Sequence, residues 1–225
     1  MMKNQALKAV FFDFDGTIAN TEKLSVLATQ QAFESVGLPI PVAQDIINYQ
    51  GVPIETSFPK LSERQLSEEK LKKLFQLFRQ AYQNNESEKN IKAYSGIPEL
   101  LQQLVQQGIA LFIMTSKKSA VAKRNLKLIS CDQYFTDIYG SDRVVAFKPN
   151  PEGLLQALSE PQLLANQAVM IGDATFDIDA GHAAHMKTIA VTWGSHHLAT
   201  LEAAQPDSIV TTREALADVL LPAHG

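Results

Sequence analysis

The sequence predicts an α/β protein built on a parallel sheet, with a helical unit inserted close to its N-terminus. Two observations predict this. Apolar, strand-like runs alternate with amphipathic helices along most of the 225 residues. The exception is the first gap, where more than ninety residues separate Asp15 from the strand at Ile109. A parallel crossover needs only about a dozen residues, so the surplus forms a unit of its own.

The first strand, Ala9–Phe14, opens with four apolar residues, the pattern of a strand buried on both faces within a parallel sheet. It runs into Asp13 and Asp15, followed by Gly16 and Thr17. Side chains two apart on a strand share a side, so both carboxylates are expected to face one reacting group while Phe14 turns away to pack. Gly16 lets the chain leave the sheet sharply. The surplus, from Asn20 to Asn90, carries Leu24, Leu27, Ala28 and Phe33, then Leu71, Leu74, Phe75, Phe78 and Tyr82, mostly at helical spacing. Pro39, Pro41, Pro53 and Pro59 divide it into several helices, and the polar stretch 84–90 reads as the return to the sheet. The later strands are expected at Ile109–Thr115, Asp137–Tyr139, Ala168–Gly172, Thr188–Thr192 and Ser208–Val210. Helices are expected at Ile97–Gln107, Ser119–Ile129, Pro151–Leu158, Asp177–Ala184, His197–Ala204 and Arg213–Leu220. Pro98 just inside the first of these, with Glu99 in its first turn, is a helix start signal.

Composition narrows the class of function. With 20 basic and 24 acidic residues the net charge is −4, which provides no electrostatic footprint for nucleic acid. No polybasic run suggests a membrane surface, and no apolar stretch approaches the roughly 18 residues a spanning helix needs. The first apolar run is stopped at Asp13, too short for a secretory signal. A single cysteine, Cys131, excludes an intramolecular disulfide, and the expected compartment is the cytoplasm. Cys131 reads as a small buried hydrophobe and not as a nucleophile.

Three further clusters fall at or near later strand ends. Thr115-Ser116 closes one strand and opens a helix at Lys117-Lys118, a natural place for phosphate oxygens. Lys148 is followed by Pro149 and Pro151, which stiffen the backbone beside it. Another buried strand ends in Gly172-Asp173, with Asp177 four residues on. Four aspartates, a hydroxyl pair and a lysine on one sheet edge suit phosphoryl transfer. Crowded carboxylates need a hard cation, and oxygen ligands suit Mg²⁺. One aspartate can attack phosphorus, and its neighbour can protonate the leaving oxygen and then activate water.

The segments Asp13-x-Asp15-Gly16-Thr17, the hydrophobic strand ending in Thr115, Lys148-Pro149 and Gly172-Asp173-x-x-x-Asp177 resemble, in order and spacing, the four motifs of the haloacid dehalogenase superfamily. Within it the chain is most similar to the phosphoglycolate phosphatase and β-phosphoglucomutase group. The resemblance implies a Rossmann-like three-layer parallel sheet core over 1–19 and 91–225, with an α-helical cap inserted over 20–90. It implies Mg²⁺-dependent hydrolysis of a small phosphate monoester, of phosphoglycolate or sugar-phosphate type, through an aspartyl-phosphate. Asp13 would be the nucleophile and Asp15 the acid/base. Asp13, the Asp15 carbonyl and Asp173 would hold Mg²⁺, and Thr115, Ser116 and Lys148 would hold phosphate. Thr17 and Asp177 would support them. Dehalogenases and phosphonatases of the superfamily lack a carboxylate at the position of Asp15, so its presence favours phosphate esters.

The expected partner is a small phosphorylated metabolite, with the chain a monomer or homodimer. A phosphomutase of the β-phosphoglucomutase type is the alternative among enzymes. A non-catalytic phospho-receiver or binding protein is the alternative of another class; the motif order and the insertion oppose the receiver, and the presence of all the motif residues opposes the binding protein. Tyr49, Gln50 and Glu55, in or beside the turn-rich segment of the cap, are the candidates for substrate choice. His185 stands where relatives usually have glycine at a helix end, a position that often requires a left-handed backbone. His182 and His185 are expected on one helical face, but they and His196, His197 and His224 lack the further ligands a transition metal requires.

Overall fold

A computed structural model describes residues 6–160 and 162–221. In chain order the elements begin with β1 (Ala9–Phe12) and β2 (Ala19–Asn20), followed by helices α1 (Glu22–Ser35), α2 (Ala43–Asn48), α3 (Ile54–Leu61) and α4 (Glu68–Asn85). The chain returns through β3 (Lys92–Ala93) and α5 (Ile97–Gln106) to β4 (Ala110–Met114), α6 (Ser119–Leu128), β5 (Asp137–Tyr139) and α7 (Glu152–Ser159). It ends with β6 (Ala168–Gly172), α8 (Thr175–Ala183), β7 (Lys187–Val191), α9 (Leu198–Ala203), β8 (Ser208–Val210) and α10 (Arg213–Leu220).

Six strands form one sheet in the order β5-β4-β1-β6-β7-β8, every pairing parallel. The uninterrupted apolar run of β1 has its cause here, because both of its faces are covered. Val10 and Phe12 pack with Leu111, Ile113 and Ile171 against Leu100, Leu101 and Leu104 of α5 and Leu216 of α10. Phe11 points the other way, stacking on Phe112 at 4.8 Å in a cluster with Leu154 of α7 and Ala180 of α8. Burying one such side chain contributes about 2 kcal/mol. The result is a three-layer helix–sheet–helix arrangement.

Helices α1–α4 lie between β2 and β3, which pair antiparallel as a two-stranded ribbon. The ribbon escapes sequence reading because two residues on each strand carry no periodicity. Phe33 and Phe58 meet edge to face at 5.4 Å, and Phe58 and Phe78 at 5.1 Å, giving these helices an aromatic core of their own. Ser67 starts α4 by accepting a hydrogen bond from the Lys70 amide.

Boundaries differ from expectation at the site. β1 stops at Phe12 and β4 at Met114, so Asp13, Phe14 and Thr115 lie just beyond the strands that aim them. Helix α8 begins at Thr175, two residues early, because the Asp177 carboxylate accepts from the Ala174 amide and closes its first turn. The same helix ends at Ala183, so His182 and His185 do not share a helical face. His185 adopts φ 57°, the left-handed conformation expected of that position. No helix among the described residues is long and apolar enough to cross a membrane.

Candidate active site

The adjacent strands β4, β1 and β6 end on one edge of the sheet, and the four sequence clusters meet there. A loop after β1 carries Asp13 and Asp15, both buried. The Asp13 amide donates to the Ile171 carbonyl at 2.8 Å, so the ladder to β6 continues past the last strand residue and fixes the aspartate against Asp173. Gly16 has φ 79°, and any Cβ there would collide with the Asp173 carboxylate. Glycine is required on both counts.

Lys148 reaches this edge from the loop before α7. Its ammonium has three protons and uses them on three acceptors: Asp13 Oδ1 at 2.6 Å, Asp177 Oδ1 at 2.5 Å and the Met114 carbonyl at 3.0 Å. Burial alone would lower its pKa, but Asp13 and Asp177 override this and hold it above the usual lysine range. One oxygen of each of Asp13, Asp173 and Asp177 lies within 4.8 Å of the others. Burial raises all three carboxyls, Asp13 and Asp173 to about 7, with the Asp13 charge adding to the shift of Asp173. Asp173 Oδ2 accepts from the Ser195 amide at 2.7 Å and its hydroxyl at 2.8 Å, and Oδ1 accepts from Thr17 Oγ1 at 3.4 Å. A single lysine does not neutralise three buried carboxylates, and an all-oxygen donor set of this charge fits Mg²⁺.

Thr115 is buried at the end of β4, and its hydroxyl accepts from the Lys117 amide at 3.2 Å. Ser116 faces the inserted helices and donates to the Gly51 carbonyl at 2.7 Å. Asp15 is turned away from Asp13's partners. Its carboxylate binds Lys117 Nζ through both oxygens, at 2.6 and 2.7 Å, and accepts from the Thr21 hydroxyl. Thr21 accepts in turn from Gln50 Nε2 at 3.0 Å, which links the acid to the turn after α2.

Of the three residues singled out in the insertion, Tyr49, Gln50 and Glu55 all line one cavity of about 310 Å³. Glu55 sits at its half-exposed rim, paired with Arg79 at 2.8 Å. Asp15, Ser116 and Lys117 line the same cavity from the sheet side. Sequence reasoning assigned no role to Thr21, Ser195 or Trp193, whose indole donates to the Thr17 carbonyl at 3.2 Å. It saw Lys117 only as part of a basic helix start. Thr21 and Ser195 carry no local signal, since a hydroxyl in a loop becomes informative only beside the carboxylate it meets. His182 Nε2 lies 3.0 Å from Thr188 Oγ1 and His196 Nδ1 accepts from the Thr175 amide, while His224 is outside the described residues.

The sequence model of the family described as haloacid dehalogenase-like hydrolase matches residues 10–191. The pyrophosphatase PpaX of Bacillus cereus is 29% identical over 214 residues, covering 95% of this chain and 96% of that one. The solved structure of a haloacid dehalogenase-like family hydrolase from Streptococcus pneumoniae superposes with a TM-score of 0.83 at 30% identity, over 95% of this chain and 98% of that one. A structure titled as a predicted phosphoglycolate phosphatase, from Haemophilus somnus, shares the fold with a TM-score of 0.85 at 24% identity, over 98% of each chain.

Proposed function

The chain belongs to the haloacid dehalogenase-like hydrolases, and from that membership we propose that it is a Mg²⁺-dependent phosphatase of a small-molecule phosphate monoester. The observation that carries this reading is Asp13, buried at the end of β1 with Lys148 on one of its oxygens and Asp173 beside it. Lys148 occupies Oδ1, and Oδ2 takes no hydrogen bond among the described residues, so Oδ2 is the attacking atom.

In the proposed reaction Asp13 Oδ2 forms a bond to phosphorus as the ester oxygen–phosphorus bond breaks. Asp15, a carboxylate in its pair with Lys117, takes up the proton of the phosphate monoanion as substrate enters and gives it to the departing oxygen. Asp15 then takes a proton from water, whose oxygen attacks phosphorus and releases Asp13 and orthophosphate. Thr115, the backbone at Ser116 and Lys148 hold the phosphoryl oxygens, and Thr17 and Ser195 keep Asp173 in place. Mg²⁺, held by Asp13, Asp173 and the Asp15 carbonyl with Asp177 in support, would offset carboxylate and phosphate charge. Helices α1–α4 are read as a cap over 20–90 that closes the site, on a core of 1–19 and 91–225. The substrate partner is a cytoplasmic metabolite, not a nucleic acid or a membrane.

The test is phosphate release from p-nitrophenyl phosphate by wild-type protein and Asp13→Asn, each with Mg²⁺ and with excess chelator. Activity only in wild type with Mg²⁺ supports the reading. Undiminished turnover in Asp13→Asn sinks it.

A further inference from the structure

Between the inserted helices and the sheet edge lies the cavity of about 310 Å³ into which Asp15 and Ser116 face. A cavity of about 150 Å³ is enough for benzene, so this one holds far more than a glycolate or a second phosphate. Much of its wall is apolar: Ile46, Val52, Phe58, Leu61 and Phe78 from the insertion and Val121 from α6. Four cations also line it, but three are already neutralised within the protein. Lys117 is committed to Asp15, Arg79 to Glu55 at 2.8 Å, and Arg124 to Glu86 at 2.9 Å. Only Lys118 is without an ion pair among the described residues.

A second phosphate would need cations of its own. Taking Lys117 would leave Asp15 without its ammonium, and an unpaired buried charge is costly. The cavity wall also holds an unmet polar group. Gln50 is 7% exposed, and its Oε1 has no hydrogen-bond partner among the described residues. A buried acceptor left so is costly, and a donor on a bound molecule would satisfy it.

Given phosphoryl transfer to Asp13 as proposed above, we infer that the leaving group is a bulky, mainly apolar alcohol, aromatic or branched, with a hydroxyl or N–H for Gln50, and not a second phosphate or a small carboxylate. The apolar wall then supplies binding energy and Asp15 supplies the proton to its oxygen. This class differs from the pyrophosphate and phosphoglycolate in the names of the relatives.

The test compares kcat/KM for ethyl phosphate, benzyl phosphate, 2-phosphoglycolate and pyrophosphate, all with Mg²⁺. Ethyl and benzyl esters share an alkoxide leaving group, so their ratio reads the cavity. Benzyl phosphate should exceed each of the other three about tenfold or more, the worth of burying one ring. Val121→Phe, which narrows the cavity from α6, should lower kcat/KM for benzyl phosphate several-fold more than for pyrophosphate. Glu55→Gln frees Arg79 and should raise the pyrophosphate-to-benzyl ratio about 2–5-fold, the scale of one rim ion pair. Pyrophosphate or phosphoglycolate matching benzyl phosphate, or Val121→Phe slowing benzyl phosphate and pyrophosphate equally, overturns the leaving-group assignment while leaving the phosphatase intact. Absence of Asp13-dependent phosphate release from all four compounds and from p-nitrophenyl phosphate overturns the phosphatase reading itself.

Discussion

Lys117 and Asp15 form a buried two-point ion pair, with Nζ 2.6 Å from one carboxylate oxygen and 2.7 Å from the other. The same ammonium sits 4.9 Å from the centre of the Tyr82 ring on α4. One lysine of the sheet edge therefore touches both the acid and the inserted helices. The Tyr82 hydroxyl donates to Asn125 of α6 at 3.0 Å, so α4 is held to the core beside that contact. Burial would lower the Lys117 pKa, but the Asp15 charge holds it above the usual lysine range, and the cation persists at any working pH.

Removing that cation should cost both stability and turnover. Lys117→Met leaves Asp15 buried without its partner, and a loss of about 3 kcal/mol in unfolding free energy is expected. Turnover should fall about tenfold or more, with Lys117→Arg recovering part of it. Denaturant titration and steady-state kinetics on the two variants check this. Unchanged stability and kcat in Lys117→Met would show that the pair is incidental.

Asp15 itself should show its role through the leaving group. A nitrophenolate departs without much protonation, whereas an alkoxide requires a proton. Asp15→Asn should therefore lose far more activity on benzyl phosphate than on p-nitrophenyl phosphate. Equal losses would assign Asp15 to positioning, through Thr21 and Lys117, and not to proton transfer.

Lys148→Met should lower turnover about 10²-fold or more, the usual loss for an electrostatic contact to a transition state. Its protons are shared among three acceptors, Asp13, Asp177 and the Met114 carbonyl, so Lys148→Met also leaves these groups without their donor. Kinetics with saturating Mg²⁺ check the expectation, and near-wild-type turnover would remove Lys148 from the phosphate site.

Mg²⁺ should stabilise the fold by binding the folded carboxylates alone. At a concentration 100-fold above its dissociation constant the gain is about 2.7 kcal/mol. For a chain of this size that corresponds to about 5–10 °C in Tm. Scanning calorimetry with Mg²⁺ and with chelator should show the difference, and Asp173→Asn should abolish most of it. An identical Tm of the wild-type protein with Mg²⁺ and with chelator would exclude a cation at the Asp13–Asp173 edge.

Cys131 should behave as a packed residue. It is fully buried, and burial pushes its thiol up to about 11. A disulfide reagent at pH 8 should label the native protein far more slowly than the unfolded chain, because the reactive thiolate is both scarce and covered. Rapid labelling of the native protein would contradict the packing around α5 and α6.

The sequence by itself determined the order of the six sheet strands and the helices that alternate with them, and it picked out Asp13, Thr115, Lys148 and Asp173 as candidates beside strand ends or a stiffened turn. These were legible because each follows a strand or a stiffened turn whose local pattern is strong. A two-sided apolar run such as Ala9–Phe12 can satisfy its backbone and side chains only inside a parallel sheet, and that sheet brings neighbouring strand ends together. Tertiary structure alone decided which groups complete the site. Ser195 reaches Asp173 across 22 residues, Lys117 reaches Asp15 across 102, and the Gln50–Thr21–Asp15 chain joins the insertion to the core. The partner of a polar side chain is set by whichever group shares its buried volume, and no periodicity within a segment encodes that. The cavity follows the same rule, since its apolar wall is drawn from two units whose patterns each specify only their own packing.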